Sequence, residues 1–455
     1  MGALRNEQTT LEAKGEMATT ADPFPIDGSR DALWMATAVD APETTKLQES
    51  RRCDVAVIGA GFTGLNAALR LAEKGVSVAV LEARTLGFGS SGRSGGQVNL
   101  GLNTGPKALI ERFGSEKGER LVHKLASVPD DVFALIRRHQ LNCDPVQNGW
   151  VQGAVTPSQL KAQQELAAEY APYGAGFDVL DRNEVAKRSG AQGFAGGLFC
   201  PSAGSLQPLS YTRELARVAI AQGARIFTET AITALHRDGG RWRLETAQGE
   251  VDCETALVCS NAYTDGLIDG LAETLVPVRS ILAATEPLPE RLRAKILPDQ
   301  VTFVDKRRLI LYCRYDRNGR LCIGDHGPMR DAFRPADFDA LKARARRLFP
   351  DLAHVRWDYH WGGRVAMTRG GLPFLQLIDR GLVAGMGYNG RGVGMGSVMG
   401  QVLADYALGT PEDDLAFPVT TPKRYPFHRF HRLGVTAAVK WYGLLDRLEM
   451  LRSYS

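Results

Sequence analysis

Residues 54–82 read DVAVIGAGFTGLNAALRLAEKGVSVAVLE, and this stretch decides the fold. Residues 55–58 form a short apolar run of the buried parallel-strand type. Gly59, Gly61 and Gly64 follow at G-x-G-x-x-G spacing, with Ala60, Phe62 and Thr63 between them. A helix-period segment over about 63–73 carries Leu65, Ala68, Leu69 and Leu71. Lys74-Gly75 ends it, and 76–81 reads as a second strand closing on Glu82. This is a βαβ unit with a dinucleotide fingerprint. Gly59 makes the tight turn, Gly61 lets backbone approach a pyrophosphate, and Gly64 lets helix and strand pack closely. The helix N-terminus offers amide donors and a positive dipole end. An acid at the second strand's end suits an unphosphorylated ribose, hence NAD or FAD rather than NADP.

Working outward, the chain of 455 residues exceeds what one core fills, so two or three domains are expected. A net charge of +4 gives no nucleic-acid footprint. Seven scattered cysteines without C-x-x-C argue against a disulfide framework and a structural zinc site. Eight histidines show no metal-ligand spacing, so no metal is expected. No apolar run is long enough to span a bilayer, and 1–50 lacks the apolar core of a signal peptide. The default address is cytoplasmic. Residues 1–50 read as mostly irregular, with Leu33-Trp34 as an anchor onto the body.

After Glu82, Ala83 and Arg84 comes the Gly- and Ser-rich segment 87–101. It reads as main chain laid along a flat cofactor ring, with Ser90, Ser91, Arg93 and Ser94 offering donors; a flexible linker is the other reading. Helical patterns occupy about 106–140 and 157–170. A helix over about 210–221, then strands at 242–244 and 251–260, the latter ending in Ser260, Asn261, Ala262 and Tyr263, return the chain to the first sheet. From 276 to 324 the pattern is β-rich, with a turn at Asn318-Gly319. A charged helix over about 335–348 leads to 357–368. GLVAGMGYNGRGVGMGSVMGQVLADYALG, from Gly381, repeats strand, glycines and helix, aiming a second helix N-terminus inward.

Three blocks, 54–82, 87–97 and 387–405, in this order, make the chain resemble the FAD-dependent D-amino-acid oxidase, glycine oxidase and sarcosine oxidase superfamily. Within it, the chain resembles the gamma-glutamylputrescine oxidoreductase-like branch. The similarity covers roughly residues 30 to 415. It implies a mixed α/β and α+β fold: a discontinuous Rossmann-like FAD domain (51–105, 196–270 and 357–415) and an antiparallel-sheet substrate domain (106–195 and 271–356). An N-terminal extension (1–50) and a basic, amphipathic tail (416–455) flank them. It implies Glu82 on the adenosine ribose and Ile232 at the adenine end through its backbone. Ser90, Ser91, Gly92, Arg93, Ser94, Gly95, Gly96 and Gln97 would run along the pyrophosphate and flavin. Tyr388, Asn389, Gly390, Arg391, Gly392 and Val393 would lie at the flavin's carbonyl edge. Sarcosine oxidases attach flavin through a cysteine just before the last glycine block. Here 365–368 is Val-Ala-Met-Thr, so a non-covalent FAD is expected. Relatives often carry G-Y-S-G-H-G where this chain has Arg391; that cation either tunes the flavin or faces solvent.

The resemblance further implies oxidation of an amine or N-substituted amino acid at its C–N bond. Hydride passes to the flavin, the imine is hydrolysed, and oxygen or another acceptor reoxidises the cofactor. No Ser-His-Asp constellation is needed, because the flavin does the hard step. Arg364 is the candidate for a substrate carboxylate, with a structural ion pair at the domain seam as the alternative. Tyr312 and Trp361 are candidate pocket walls, and Gln97 a polar candidate. The runner-up is an aromatic flavin monooxygenase, which usually carries Gly-Asp where this chain has Met386-Gly387. A flavin-binding subunit of an oligomeric dehydrogenase is a third reading. In the tail, Lys423, Arg424, Arg429 and Arg432 precede a helical stretch with Val435, Ala438, Trp441, Leu445, Leu448 and Leu451 on one face. It is read as a peripheral membrane contact, or as packing on its own domain or on a partner in a homo-oligomer.

Overall fold

The structure, a computed structural model, describes residues 32–102 and 104–453; most of the N-terminal extension, residues 1–31, lies outside these. The stretch quoted above folds as strand Val55–Ile58, helix Phe62–Glu73 and strand Val78–Leu81. These strands sit inside a six-stranded sheet ordered Phe374–Asp379, Leu382–Met386, Thr255–Val258, Val55–Ile58, Val78–Leu81, Arg225–Phe227. All neighbours are parallel except the first pair. Alternation along the strands divides the core. Val55, Val57, Val78, Val80 and Leu257 join the helix-covered cluster. Ala56, Ile58, Ala79, Leu81 and Ala256 pack instead with Trp242, Leu244 and Val251 of a small sheet on the opposite face. With both faces buried, near-continuous apolar strands are what the physics requires.

One expected strand divides. Residues 251–260 form Glu250–Cys253 in the small four-stranded sheet and Thr255–Val258 in the six-stranded one. The break falls at Glu254, where the amides of Glu254 and Thr255 both donate to the Asp54 carbonyl, at 3.0 and 3.1 Å.

The second large sheet has eight strands, ordered Trp357–Thr368, Leu275–Pro287, Arg320–His326, Tyr312–Tyr315, Thr302–Asp305, Trp150–Ala154, Gly196–Cys200, Asp178–Asp181. Two of its strands, Gly196–Cys200 and Trp357–Thr368, were expected with the nucleotide half and instead belong to this sheet. The expected anchor is a short helix, Leu33–Thr37, with Leu33 and Trp34 fully buried. All seven cysteines are free and buried. Among the described residues no helix is long and apolar enough to cross a membrane.

Candidate cofactor and active site

A cleft opens where both sheets meet, and the separated glycine-rich segments converge on it. At its inner end the chain leaves strand Val55–Ile58 through Gly59, whose φ of +103° favours glycine. The Glu82 carboxylate closes this turn: Oε2 accepts from the Ala60 amide at 2.8 Å and Oε1 from the Arg84 amide at 2.9 Å. Burial pushes the Glu82 pKa up against the lowering effect of those amides. A Cβ on Gly64 would fall 2.0 Å from the Gly59 carbonyl oxygen, and one on Gly61 2.8 Å from Ser91 Oγ.

That serine belongs to the second segment. Ser91 Oγ accepts from the Phe62 amide at 3.0 Å, which ties the loop to the helix start. Ser90 Oγ donates to the Arg364 carbonyl at 2.6 Å. The next three carbonyls are held from outside. Trp361 Nε1 donates to Arg93 (3.1 Å), Trp34 Nε1 to Ser94 (2.8 Å), and Arg314 Nε to Gly95 (2.7 Å). Arg314 also donates to the carbonyls of Leu206 and Tyr315 and lies 4.5 Å over the Trp34 ring. The Gly- and Ser-rich loop is therefore a fixed wall whose donors come from three distant parts of the chain, and the linker reading does not hold.

The last glycine block lies beside the first. Tyr388 is buried; its hydroxyl meets Thr63 Oγ1 at 2.6 Å and donates to the Gly385 carbonyl at 2.9 Å. Asn389, at φ +49°, accepts from the Thr368 amide and donates to the Gly387 carbonyl. Helix Gly392–Ala407 then runs against helix Phe62–Glu73: a Cβ on Gly400 would lie 2.4 Å from the Thr63 carbonyl. Both helices start at the cleft. Asn261 joins the blocks, its Oδ1 accepting from the Gly387 amide at 2.9 Å. Ile232, Ser260 and Ala83 line the same cleft, and Ala262 is buried beside it.

Other predicted residues have different surroundings. Gly92 and Val393 are buried packing positions. Gly96, at φ +68°, is crowded by the Leu206 carbonyl and Arg314. Arg391 is half-buried, and its guanidinium turns onto the protein. It donates to the Leu100 carbonyl at 2.7 Å, lies 5.1 Å over Trp150, and burial pushes its pKa down to about 10. Gln97 Nε2 donates to the Cys313 carbonyl at 3.2 Å, fastening the loop to the sheet.

Strand pairing sets which candidate side chains share a face. Trp361, Leu282, Gly324, Tyr312 and Val304 are successive cross-strand partners. This face meets the Gly- and Ser-rich loop: Tyr312 packs under Gly95, and Gly363 against Arg93. The Tyr312 hydroxyl meets Ser280 Oγ at 3.0 Å, and burial pushes its pKa to about 12. Arg364 is three residues from Trp361 and so belongs to the opposite face. Its Nη2 stands 3.0 Å from Asp331 Oδ1, and its guanidinium 5.1 Å over the Tyr263 ring. Arg279, its cross-strand partner, is 2.7 Å from the same Asp331 oxygen.

Sequence reasoning missed Asp331, which no local pattern marks, and Tyr263, which lines the cleft and packs against Gly89. Tyr263 ends the stretch 260–263, of which only Ser260, Asn261 and Ala262 are expected at the cofactor, so its place in that stretch is the signal that finds it.

Residues 54–406 match the family model described as FAD dependent oxidoreductase (DAO). The chain belongs to this family. It is 30% identical over 409 residues to a probable oxidoreductase, OrdL, of Haemophilus influenzae, covering 88% of this chain and 94% of that one. It is also 30% identical over 406 residues to the gamma-glutamylputrescine oxidoreductase of Escherichia coli, with 88% and 95% covered. The fold matches glycine oxidase from Geobacillus kaustophilus with a TM-score of 0.68 at 22% identity, over 81% of this chain and 98% of that one. The site of this FAD-dependent oxidoreductase suits the cofactor. Glu82 would offer its carboxylate to an adenosine ribose, the glycines leave no space for side chains where backbone would approach a pyrophosphate, and two helix N-termini open on the cleft where phosphates and flavin would lie.

Proposed function

We propose that this FAD-dependent oxidoreductase oxidises the C–N bond of an amine or N-substituted amino acid. The observation that carries the reading is the lining of the cleft. It brings the glycine turns and Glu82 together with Tyr263, Val365 and Tyr388, and among the described residues no nucleophile stands beside a base there. The Cys259 thiol at the cleft is pushed up by burial and is no thiolate. Bound FAD supplies the oxidant, taking a hydride equivalent from the carbon bearing nitrogen. The chain's own part is binding, orientation and exclusion of water. The N-terminus of helix Gly392–Ala407 favours the negative charge that reduction adds. The resulting imine takes up water and leaves as a carbonyl compound and a smaller amine. The named substrates of the gamma-glutamylputrescine and glycine enzymes, both nitrogen compounds, support this class.

The absence of cysteine from 365–368 supports a non-covalent cofactor. For a substrate carboxylate, the candidate first expected, Arg364, already has Asp331 as counter-charge. Arg364 still lines the cleft, so the ion pair and a substrate carboxylate compete for one guanidinium. The test is anaerobic mixing of the purified protein with a panel of amines and N-alkyl amino acids. Bleaching of the flavin by at least one is expected. Bleaching by dithionite but by no amine would refute the reading.

A further inference from the structure

The C-terminal helix, His431–Ser453, presents two unlike sides. Its inner edge is clamped to the body. Asp446 accepts from Arg308 Nη1 at 3.0 Å and from the Leu309 amide at 3.2 Å. Glu449 pairs with the same arginine, and Gly443 lies against Leu309. Asp446 and Glu449 are the only acids from 421 to 453, and both are engaged here.

The outer face carries Leu433, Ala437, Trp441, Leu444 and Leu448, all exposed and spaced at helical intervals along one stripe. Leu433 is 71% exposed and Trp441 56%. Phe427 and Phe430 extend the apolar surface before the helix begins. This is not quite the face the sequence suggested: Val435, Ala438 and Leu445 are half-buried, and the exposed stripe runs beside them. The exposed charges flanking the stripe, Arg429, Lys440 and Arg447, are positive, while Arg432 reaches inward to Asp331 Oδ2 at 3.8 Å. A contiguous exposed apolar stripe calls for a cover. A second copy packing the same helix face to face would bring these cations together across the symmetry axis and repel itself. An anionic lipid surface meets both features: headgroups match the cations, and the acyl boundary takes the leucines and the Trp441 ring. The helix is too polar to span a bilayer, which leaves it in the interfacial plane.

We propose that the outer face of helix His431–Ser453 docks this enzyme onto membranes containing anionic phospholipid. The test is flotation of the full-length, FAD-loaded protein with phosphatidylcholine vesicles, with and without phosphatidylglycerol. Binding is expected only with phosphatidylglycerol, and it should weaken at about 0.5 M salt. Trp441→Ser with Leu444→Ser should reduce binding at least about tenfold, as should Lys440→Glu with Arg447→Glu, while flavin content and circular dichroism stay unchanged. No flotation with anionic vesicles, or equal flotation of folded variants, overturns the proposal. So does a dimer in sedimentation that the Trp441/Leu444 variant dissociates, because the stripe is then a self-contact.

Discussion

The Trp34 indole nitrogen donates to the Ser94 carbonyl across 2.8 Å, joining the start of the described chain to the wall of the cofactor cleft. The ring is fully buried, edge-on to Trp361 with centroids 5.4 Å apart. Truncating a large buried aromatic costs about 3–5 kcal/mol. Trp34→Ala should therefore lower the urea midpoint strongly and shed flavin, because Ser94 lines the cleft. Trp34→Phe keeps most of the packing but leaves the carbonyl unpaired, a loss of about 1–3 kcal/mol. Equal flavin retention by wild type and Trp34→Ala would show that the anchor does not shape the site.

Gly61 and Gly64 should respond differently to the same substitution. A Cβ at Gly64 meets a backbone oxygen at 2.0 Å, which cannot turn aside; at Gly61 it meets the Ser91 hydroxyl at 2.8 Å, which can. Gly64→Ala is expected to abolish folding or FAD binding outright. Gly61→Ala should be milder, and adding Ser91→Ala should restore much of its thermal stability. Flavin affinity should stay low in the double variant, because the methyl group still stands where backbone meets pyrophosphate. Differential scanning fluorimetry and flavin titration separate the two effects, and a Gly61→Ala that Ser91→Ala does not rescue contradicts the steric account.

What could be read from the sequence follows from how local each signal is. Residues 54–82 were legible because turn glycines, apolar runs and helix period all lie within one βαβ unit, and nothing distant opposes them. Strand Trp357–Thr368 was legible as a strand but not as a member of the eight-stranded sheet, since pairing partners leave no local trace. The break at Glu254 depends on the Asp54 carbonyl, two hundred residues away in the chain. Arg364 shows the sharpest form of the difficulty. A shift of one residue along a strand changes its face, and no local signal sets the register against which to fix it. Arg391 was ambiguous for a related reason: the ring its guanidinium lies over, Trp150, comes from a distant strand.

Glu82 gives the cofactor affinity a pH dependence whose sign can be worked out. Without FAD, burial holds this carboxyl's pKa above its ordinary value. Ribose hydroxyls donating to it favour the charged form, so FAD binding lowers that pKa and releases a proton. Affinity should be full at pH above the raised value and fall as pH drops through it. In the FAD-free protein the raised pKa works the other way: the carboxylate costs stability at neutral pH, and the cost fades on acidification. Glu82→Gln should flatten the affinity profile and weaken binding by about 1.5–3 kcal/mol. Fluorescence of released flavin across a pH series checks both, and an unchanged slope in Glu82→Gln would assign the dependence to another group.

The cluster of Asp331 with Arg279 and Arg364 predicts a stability defect where a carboxylate-binding site predicts a selectivity defect. Both arginines are buried, and each has Asp331 within 3.0 Å. Asp331→Asn leaves them without that counter-charge, and removing one partner of a buried pair costs about 3–5 kcal/mol. Arg364→Ala should cost less, because Arg279 still neutralises the acid. If Arg364 serves only this cluster, its loss should lower kcat/KM by the same factor toward an N-alkyl amino acid and toward the corresponding amide. Urea midpoints of both variants should fall, Asp331→Asn further. The opposite pattern, with stability intact and activity lost only toward the charged substrate, would return Arg364 to the substrate and refute its assignment to the ion pair.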